Sequence, residues 1–351
     1  MTGSPSTPTP PAGPAADRAA RLEALLGDPR EPDNPHARAA LLRADESGEL
    51  PAATESLLGA VSLAAELVPR ALGGRLDGLD GLAAVLRPLG RRHFGLGWTR
   101  GVAPFAAAAA VWADGTEAQR AATAQLLLGG GRIASLARVP ATGAAAVRGG
   151  LRARPAAGGF VLSGHGPAVP EADRAEALLA YARTGGSASP RSHSALLLDV
   201  RRLPAERLRR GPRTAAPHGR FARVELDACP VPRSQLVGEV GRCAALPGVG
   251  TAAPALPEAR LLADRYAWLL AAAACVAVRQ EHAGRSWPGE PAWAVVALGR
   301  IGRRLALDVP PPGARTVEAV VAELLRRHRR FRSFDLYGLR LAGEGAAYGR
   351  R

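Results

Sequence analysis

The chain has 351 residues, enough for two or three domains with cores of their own. Hydrophobic residues make up 47% of it, but no apolar run reaches the roughly 18–20 residues of a membrane span, so a membrane-spanning protein is not expected. The formal charge of +15 is carried by arginine alone; the absence of lysine excludes a Walker-type phosphate loop, and the scatter of the arginines and scarcity of aromatics speak against nucleic-acid binding.

Residues 1–16 are rich in Pro, Ser, Thr and Gly and read as a disordered tail. They hold no basic stretch followed by an apolar one, so no secretory signal is expected, and the expected compartment is the cytoplasm. Asp17–Leu26 has helical periodicity and stops at Gly27. After the turn-rich Gly27–Pro35, Asn34 is expected to cap a helix that runs to Ser47-Gly48, with Pro35 in its first turn. Pro51–Leu67 reads as one further helix, ended by Pro69–Gly74. Leu79–Arg92 is amphipathic, with apolar residues at 79, 82, 85, 86 and 89. The alanine-rich Ala103–Ala113 reads as a buried helix, and another opens at Thr116 and runs through Leu128. Residues 17–130 therefore form a predicted helical domain.

The texture changes at Gly129–Gly131, which read as a flexible joint. Strands are predicted at Ile133–Val139, Leu151–Ala153, Gly159–Ser163, Ala177–Ala182, Ser194–Val200 and Phe221–Leu226. Residues 131–243 are expected to form a small β-domain, a barrel or sandwich. A Pro/Gly/Ala linker at 244–257 leads to helices at Pro257–His282, Pro291–Leu307 and Val317–Arg330, so 258–351 is a reduced helical domain. The last twenty residues read as a docked tail or frayed end. The predicted class is α+β multidomain: helical domain, small β-domain, short helical domain.

Local side-chain chemistry gives little. Cys229, Cys243 and Cys275 have no C-x-x-C spacing, the histidines have no ligand spacing, and no metal site is expected. Ser163, His165 and Asp173 lack the G-x-S-x-G elbow of a hydrolase. The five tryptophans read as core residues, and the Arg326–Arg332 run as a solvated face.

Four segments, taken in order, carry a resemblance. Pro69–Leu89 resembles a P-x-x-x-G-G-x-G-L turn with its following helix. Gly115–Ala134, GTEAQRAATAQLLLGGGRIA, resembles a G-T-E-x-Q-K helix leading to G-E-x-x-x-x-A. Gly158–Gly164, GGFVLSG, resembles a D-G-Y-V-L-N-G strand. Phe221–Gly241 resembles F-x-D-V-x-V-P-x-x-x-L-L-G-x-x-G. These are motifs of the acyl-CoA dehydrogenase family, whose domain order the chain shares. The resemblance implies FAD, an acyl thioester substrate, and α,β-desaturation by proton abstraction and hydride transfer to the flavin. It also makes Trp98, which follows a helix leading towards the family's acyl pocket, the tryptophan to watch.

The positions that the resemblance assigns to flavin contact are substituted. The family's T-E-P-x-A-G-S-D loop reads RVPATGAA at Arg138–Ala145; Pro140 and Gly143 are kept, Thr142 is shifted, and Arg138 replaces the first hydroxyl. The W-I-T/S triplet, whose ring packs on the flavin and whose hydroxyl bonds its N5, aligns with Ala168, Val169 and Pro170. Alanine has no ring, and proline has neither hydroxyl nor amide donor. No glutamate matches the family's general base; Glu258, Glu281, Glu318 and Glu323 are helical carboxylates expected on solvated faces or in pairs with the basic cluster. The expected function is FAD-dependent desaturation of an acyl thioester, CoA- or acyl-carrier-protein-bound, weakened or lost in the isolated chain. The alternative is a non-catalytic acyl-thioester-binding or scaffold subunit. It would partner a full-length paralogue, or itself as a homo-oligomer, in a bacterial biosynthetic pathway of secondary metabolism.

Overall fold

A computed structural model describes residues 14–47, 50–136, 150–166, 168–185, 192–211, 214–216, 219–241, 257–284, 286–332, 334 and 340. Two compact units divide between Ala253 and Pro254. No helix among the described residues is long and apolar enough to cross a membrane.

The first unit opens with α1 (Ala15–Leu26), which buries Ala19, Leu22 and Leu26 and ends at Gly27, φ +67°. Asn34 does not cap the next helix, α2 (Arg38–Ser47), which starts three residues later than a cap would require. Its amide instead donates to the Leu26 and Asp28 carbonyls, both at 2.8 Å, and its oxygen accepts from the His36 N–H at 2.8 Å. Those bonds close the turn between α1 and α2, work that a short amide does well.

The expected Pro51–Leu67 helix is broken. α3 (Ala52–Ala60) stops, Ser62 turns left-handed at φ +52°, and Leu63–Leu67 form a 3-10 turn. Arg75 takes the carbonyls of Val61 and Ser62 at 2.8 and 2.6 Å, acceptors that a continuing helix would use itself. The same guanidinium bonds Glu66 at 2.8 Å, and Arg18 of α1 grips that carboxylate as a fork at 3.0 and 2.9 Å. Glu66 is thus buried but held by charge-assisted bonds from two arginines. The Pro69–Gly74 turn lies directly beneath: a Cβ on Gly74 would stand 2.0 Å from the Val68 carbonyl oxygen, so only glycine fits.

α4 (Leu79–Arg92) buries Leu82, Val85, Leu86 and Leu89; Leu79, expected on the same stripe, opens the helix and is exposed. α5 (Phe94–Gly97) runs without interruption through a π-turn at Trp98–Val102 into α6 (Ala103–Asp114). Pro104 explains the widened turn: it has no N–H to give the Arg100 carbonyl and would press against it, and Ala103 bonds back to Trp98 instead. α6 buries Ala107, Ala108, Ala110 and Val111. α7 (Glu117–Leu128) starts from a capping box in which the Thr116 hydroxyl accepts the Gln119 N–H and Gln119 answers at the Thr116 N–H.

Eleven strands follow among the described residues: β1 (Ile133–Leu136), β2 (Leu151–Ala156), β3 (Gly159–His165), β4 (Val169–Pro170), β5 (Ala177–Arg183), β6 (His193–Asp199), β7 (Leu208–Arg210), β8 (Thr214–Ala216), β9 (Gly219–Ala222), β10 (Val224–Pro232) and β11 (Leu236–Val237). One sheet has the order β11-β6-β5-β2-β3-β10-β7, with β1 parallel to β5; β4-β9-β8 form a smaller one. The predicted strand Phe221–Leu226 is two strands: β9 ends at Ala222 in the small sheet and β10 begins at Val224 in the large one. On β5, Ala177, Leu179 and Tyr181 pack with the helices, whereas Leu178, Ala180 and Ala182 join Val169, Ala222 and the other strands. Both faces are covered, which is why that strand reads as an unbroken apolar run. Gly159 sits where a Cβ would come 2.1 Å from the Val231 carbonyl oxygen of β10.

The second unit holds α8 (Pro257–Glu281), α9 (Pro291–Arg304) and α10 (Ala314–Arg329). α9 lies against both others and buries Trp293, Ala294 and Ile301. In α8, by contrast, Leu262, Tyr266, Leu269 and Leu270 are exposed.

Candidate functional site

A cavity of about 340 Å³ lies in the first unit, between α3, the π-turn and the start of the β-region. Leu58, Leu63, Leu67, Trp98, Leu127 and Ile133 give it apolar walls. Trp98, singled out in the sequence, is one of them, and Phe94 stacks on its ring at 6.0 Å between centroids. The hydrocarbon walls suit an aliphatic group.

One part of the wall is charged. Glu55 of α3 accepts from Arg100 on one oxygen at 2.6 Å and from Arg132 on the other at 2.5 Å. Glu171 is bonded by Arg132 and lies 3.6 Å from Arg100. The four side chains close a ring that is neutral as a whole. Glu55 and Arg100 come from the helices, whereas Arg132 stands just before β1 and Glu171 just after β4. Burial pulls the Arg100 guanidinium below its ordinary value, and neighbouring Glu171 pulls it back up. Glu171 has left-handed backbone, φ +57°, and a side chain only 10% exposed. A non-glycine residue holds that conformation at a cost, which its two arginine partners offset.

Glu171 directly follows the three residues aligned with the family's second flavin element. Ala168 is half-buried and presents a methyl group. Val169 is buried and pairs with Ala222, and Pro170 pairs with Phe221. Among these three residues there is no ring or hydroxyl, and the only backbone N–H groups are those of Ala168 and Val169. This donor set does not fit the flavin contacts that the resemblance implies. Arg138, Pro140, Thr142 and Gly143, aligned with the first flavin element, lie outside the described residues, as does Cys243.

The carboxylates weighed as general bases all belong to the second unit. Glu281 and Glu318 belong to helices of the second unit, the side chain of Glu258 lies outside the described residues, and Glu323 is taken by Arg326 and Arg327, each at 2.6 Å. The hydrogen bond from Arg326, and then that from Arg327, hold the Glu323 carboxyl below its ordinary range despite burial. The Ser163 hydroxyl accepts the Ala228 N–H at 3.1 Å, closing the irregularity in β10. Burial raises the Cys229 thiol, whose sulfur donates to the Arg207 carbonyl at 3.3 Å, so it behaves as a structural group.

Sequence reasoning missed Glu55, Arg100, Arg132 and Glu171. They are spread over more than a hundred residues, with no fixed local spacing. The available signal was position: Arg132 lies inside the matched segment Gly115–Ala134, and Glu171 directly follows the aligned Ala168–Pro170.

No protein-family model matches the sequence, and no curated protein is significantly similar to it. Solved structures do match. Butyryl-CoA dehydrogenase from Megasphaera elsdenii is 18% identical, with a TM-score of 0.55 over 94% of this chain and 87% of that one. Acyl-CoA dehydrogenase from Geobacillus kaustophilus is 16% identical, with a TM-score of 0.56 over 92% and 79%. PigA, solved with FAD and proline, is 17% identical, with a TM-score of 0.56 over 94% and 80%. At these identities the likeness is one of fold. The chain has an acyl-CoA dehydrogenase-like fold, and its solved neighbours are acyl-CoA dehydrogenases and related flavoproteins.

Proposed function

We propose that this chain is an acyl-CoA dehydrogenase-like protein that binds an acyl group but whose own FAD-dependent α,β-desaturation is weakened or lost. The observation that carries the reading is the turn Ala168–Glu171. Where the resemblance calls for a stacking ring and a hydroxyl, the chain has alanine, valine and proline, followed by a glutamate locked to two arginines. The apolar cavity beside it supports retention of the acyl group. Its carrier is CoA or an acyl carrier protein, whose phosphates or acidic surface suit a charge of +15. Domains at 17–130, 131–243 and 258–351, a preceding tail and a linker at 244–257, and a bacterial, cytoplasmic setting in secondary metabolism belong to the same proposal.

What the chain's own residues do follows from their chemistry. Leu58, Leu63, Leu67 and Trp98 exclude water from the acyl chain, and the ring fixes the charged rim. If FAD binds through the loop at Arg138–Ala145, it would supply hydride acceptance. Calorimetric titration with decanoyl-CoA tests the reading. Binding without any bleaching of added FAD is expected; bleaching of a bound flavin contradicts it.

The second reading is a scaffold subunit for a full-length paralogue. The exposed Leu262, Tyr266, Leu269 and Leu270 of α8 favour it, because such a face invites a partner. Co-purification with that paralogue and a change in its turnover would support it; no effect on turnover or assembly would remove it.

A further inference from the structure

We propose that Arg100 and Arg132 form a carboxylate-binding site that Glu55 fills from within the chain, and that its external ligand is a medium-chain aliphatic monocarboxylate whose tail lies in the cavity. The inference rests on the reading of the cavity as an acyl site and names the ligand class it takes.

The geometry of the occupant is the first argument. Each oxygen of Glu55 takes one arginine, at 2.5 and 2.6 Å, and any carboxylate in that place could accept the same pair of bonds. The second argument is tethering. The Glu55 side chain is 39% exposed, against 15% for Arg100, 24% for Arg132 and 10% for Glu171. Glu55 stands on α3, a helix of nine residues, and can turn out to water at little cost. The other three are each more buried, so each would have to move a more deeply buried charge.

Charge selects the class. With Glu55 turned out, Arg100, Arg132 and Glu171 leave two positive charges and one negative, a net of +1. A monocarboxylate neutralises that; a phosphate dianion overshoots, and an alcohol or thioester carbonyl brings no charge. The cavity selects the length. About 340 Å³ is near the small end of the range for ligand pockets, roughly 300–1,000 Å³. The external ligand must also outcompete a tethered carboxylate, whose effective concentration is about millimolar. Only the burial of several methylenes against Leu58, Leu63, Leu67 and Trp98 supplies that advantage, so a short acid such as acetate does not.

Calorimetry on the full chain decides it, with decanoate, 1-decanol, acetate, inorganic phosphate and decanoyl-CoA as probes. Wild type is expected to bind decanoate more tightly than decanol, and to bind neither acetate nor phosphate. Glu55→Gln removes the competing charge and is expected to tighten decanoate by roughly tenfold while leaving decanol unchanged. Equal affinity for decanoate and decanol in wild type overturns the carboxylate site and leaves the acyl cavity standing. So does binding of decanoyl-CoA with none of decanoate. No binding of any ten-carbon probe overturns the acyl cavity as well, and that comparison needs no variant.

Discussion

Glu171 joins the β-region to the helices through two arginines, and truncating it leaves both facing the single carboxylate of Glu55 in a half-buried site. Glu171→Ala is expected to lower stability by about 3 kcal/mol, measured by urea unfolding, because breaking a buried pair from one side leaves an uncompensated charge. Glu55→Ala, whose own side chain is 39% exposed, should cost no more than about 1 kcal/mol in the same assay. Equal losses in the two variants would contradict the difference in tethering. Glu323 gives a pH signature. Its folded carboxyl is held below the ordinary range, so the stabilisation is present above the ordinary value and is lost as pH falls through the folded value. The stability gap between wild type and Glu323→Gln should therefore be full at neutral pH and shrink below about pH 5. A gap that widens in acid would have the wrong sign. At this scale the sequence was legible for single residues with a family context, such as Trp98, and illegible for the ring. Residues 55, 100, 132 and 171 become neighbours only through the packing of helices against strands.

Among the elements, the matched motifs explain one another in space. Gln119 of the GTEAQ segment caps its own helix and then donates to the carbonyls of Ser234 and Leu236 at 2.8 and 2.9 Å. Those carbonyls belong to the Phe221–Gly241 segment, so two motifs a hundred residues apart are one joint. Gln119→Ala should cost about 2–3 kcal/mol by leaving buried acceptors unpaired, whereas Thr116→Ala, which loses only the cap, should cost about 1 kcal/mol. Reversal of that order in thermal unfolding would contradict the joint. Helix positions were readable from periodicity in α1 and α4, from alanine content in α6 and from the Thr116 opening in α7. What failed was continuity: Arg75, a distant residue, breaks the expected Pro51–Leu67 helix by claiming its carbonyls. The short strands β4, β7, β8 and β11 escaped notice because two or three residues carry no alternation to read.

At the scale of the whole molecule, an acyl-CoA dehydrogenase-like fold is combined with a turn, aligned with the family's second flavin element, that lacks the donors the resemblance implies. The fold was legible because it rests on glycine turns and apolar patterns that can be read in the chain itself, such as Gly74 against the Val68 carbonyl. The site was legible only as substitutions; the arginine–glutamate ring beside the aligned turn required the folded chain. Flavin retention tests the central claim most directly. The purified chain is incubated with excess FAD, passed through a desalting column and its visible absorbance read. The account predicts no flavin band in the protein fraction. A stoichiometric band that bleaches on addition of decanoyl-CoA would contradict it.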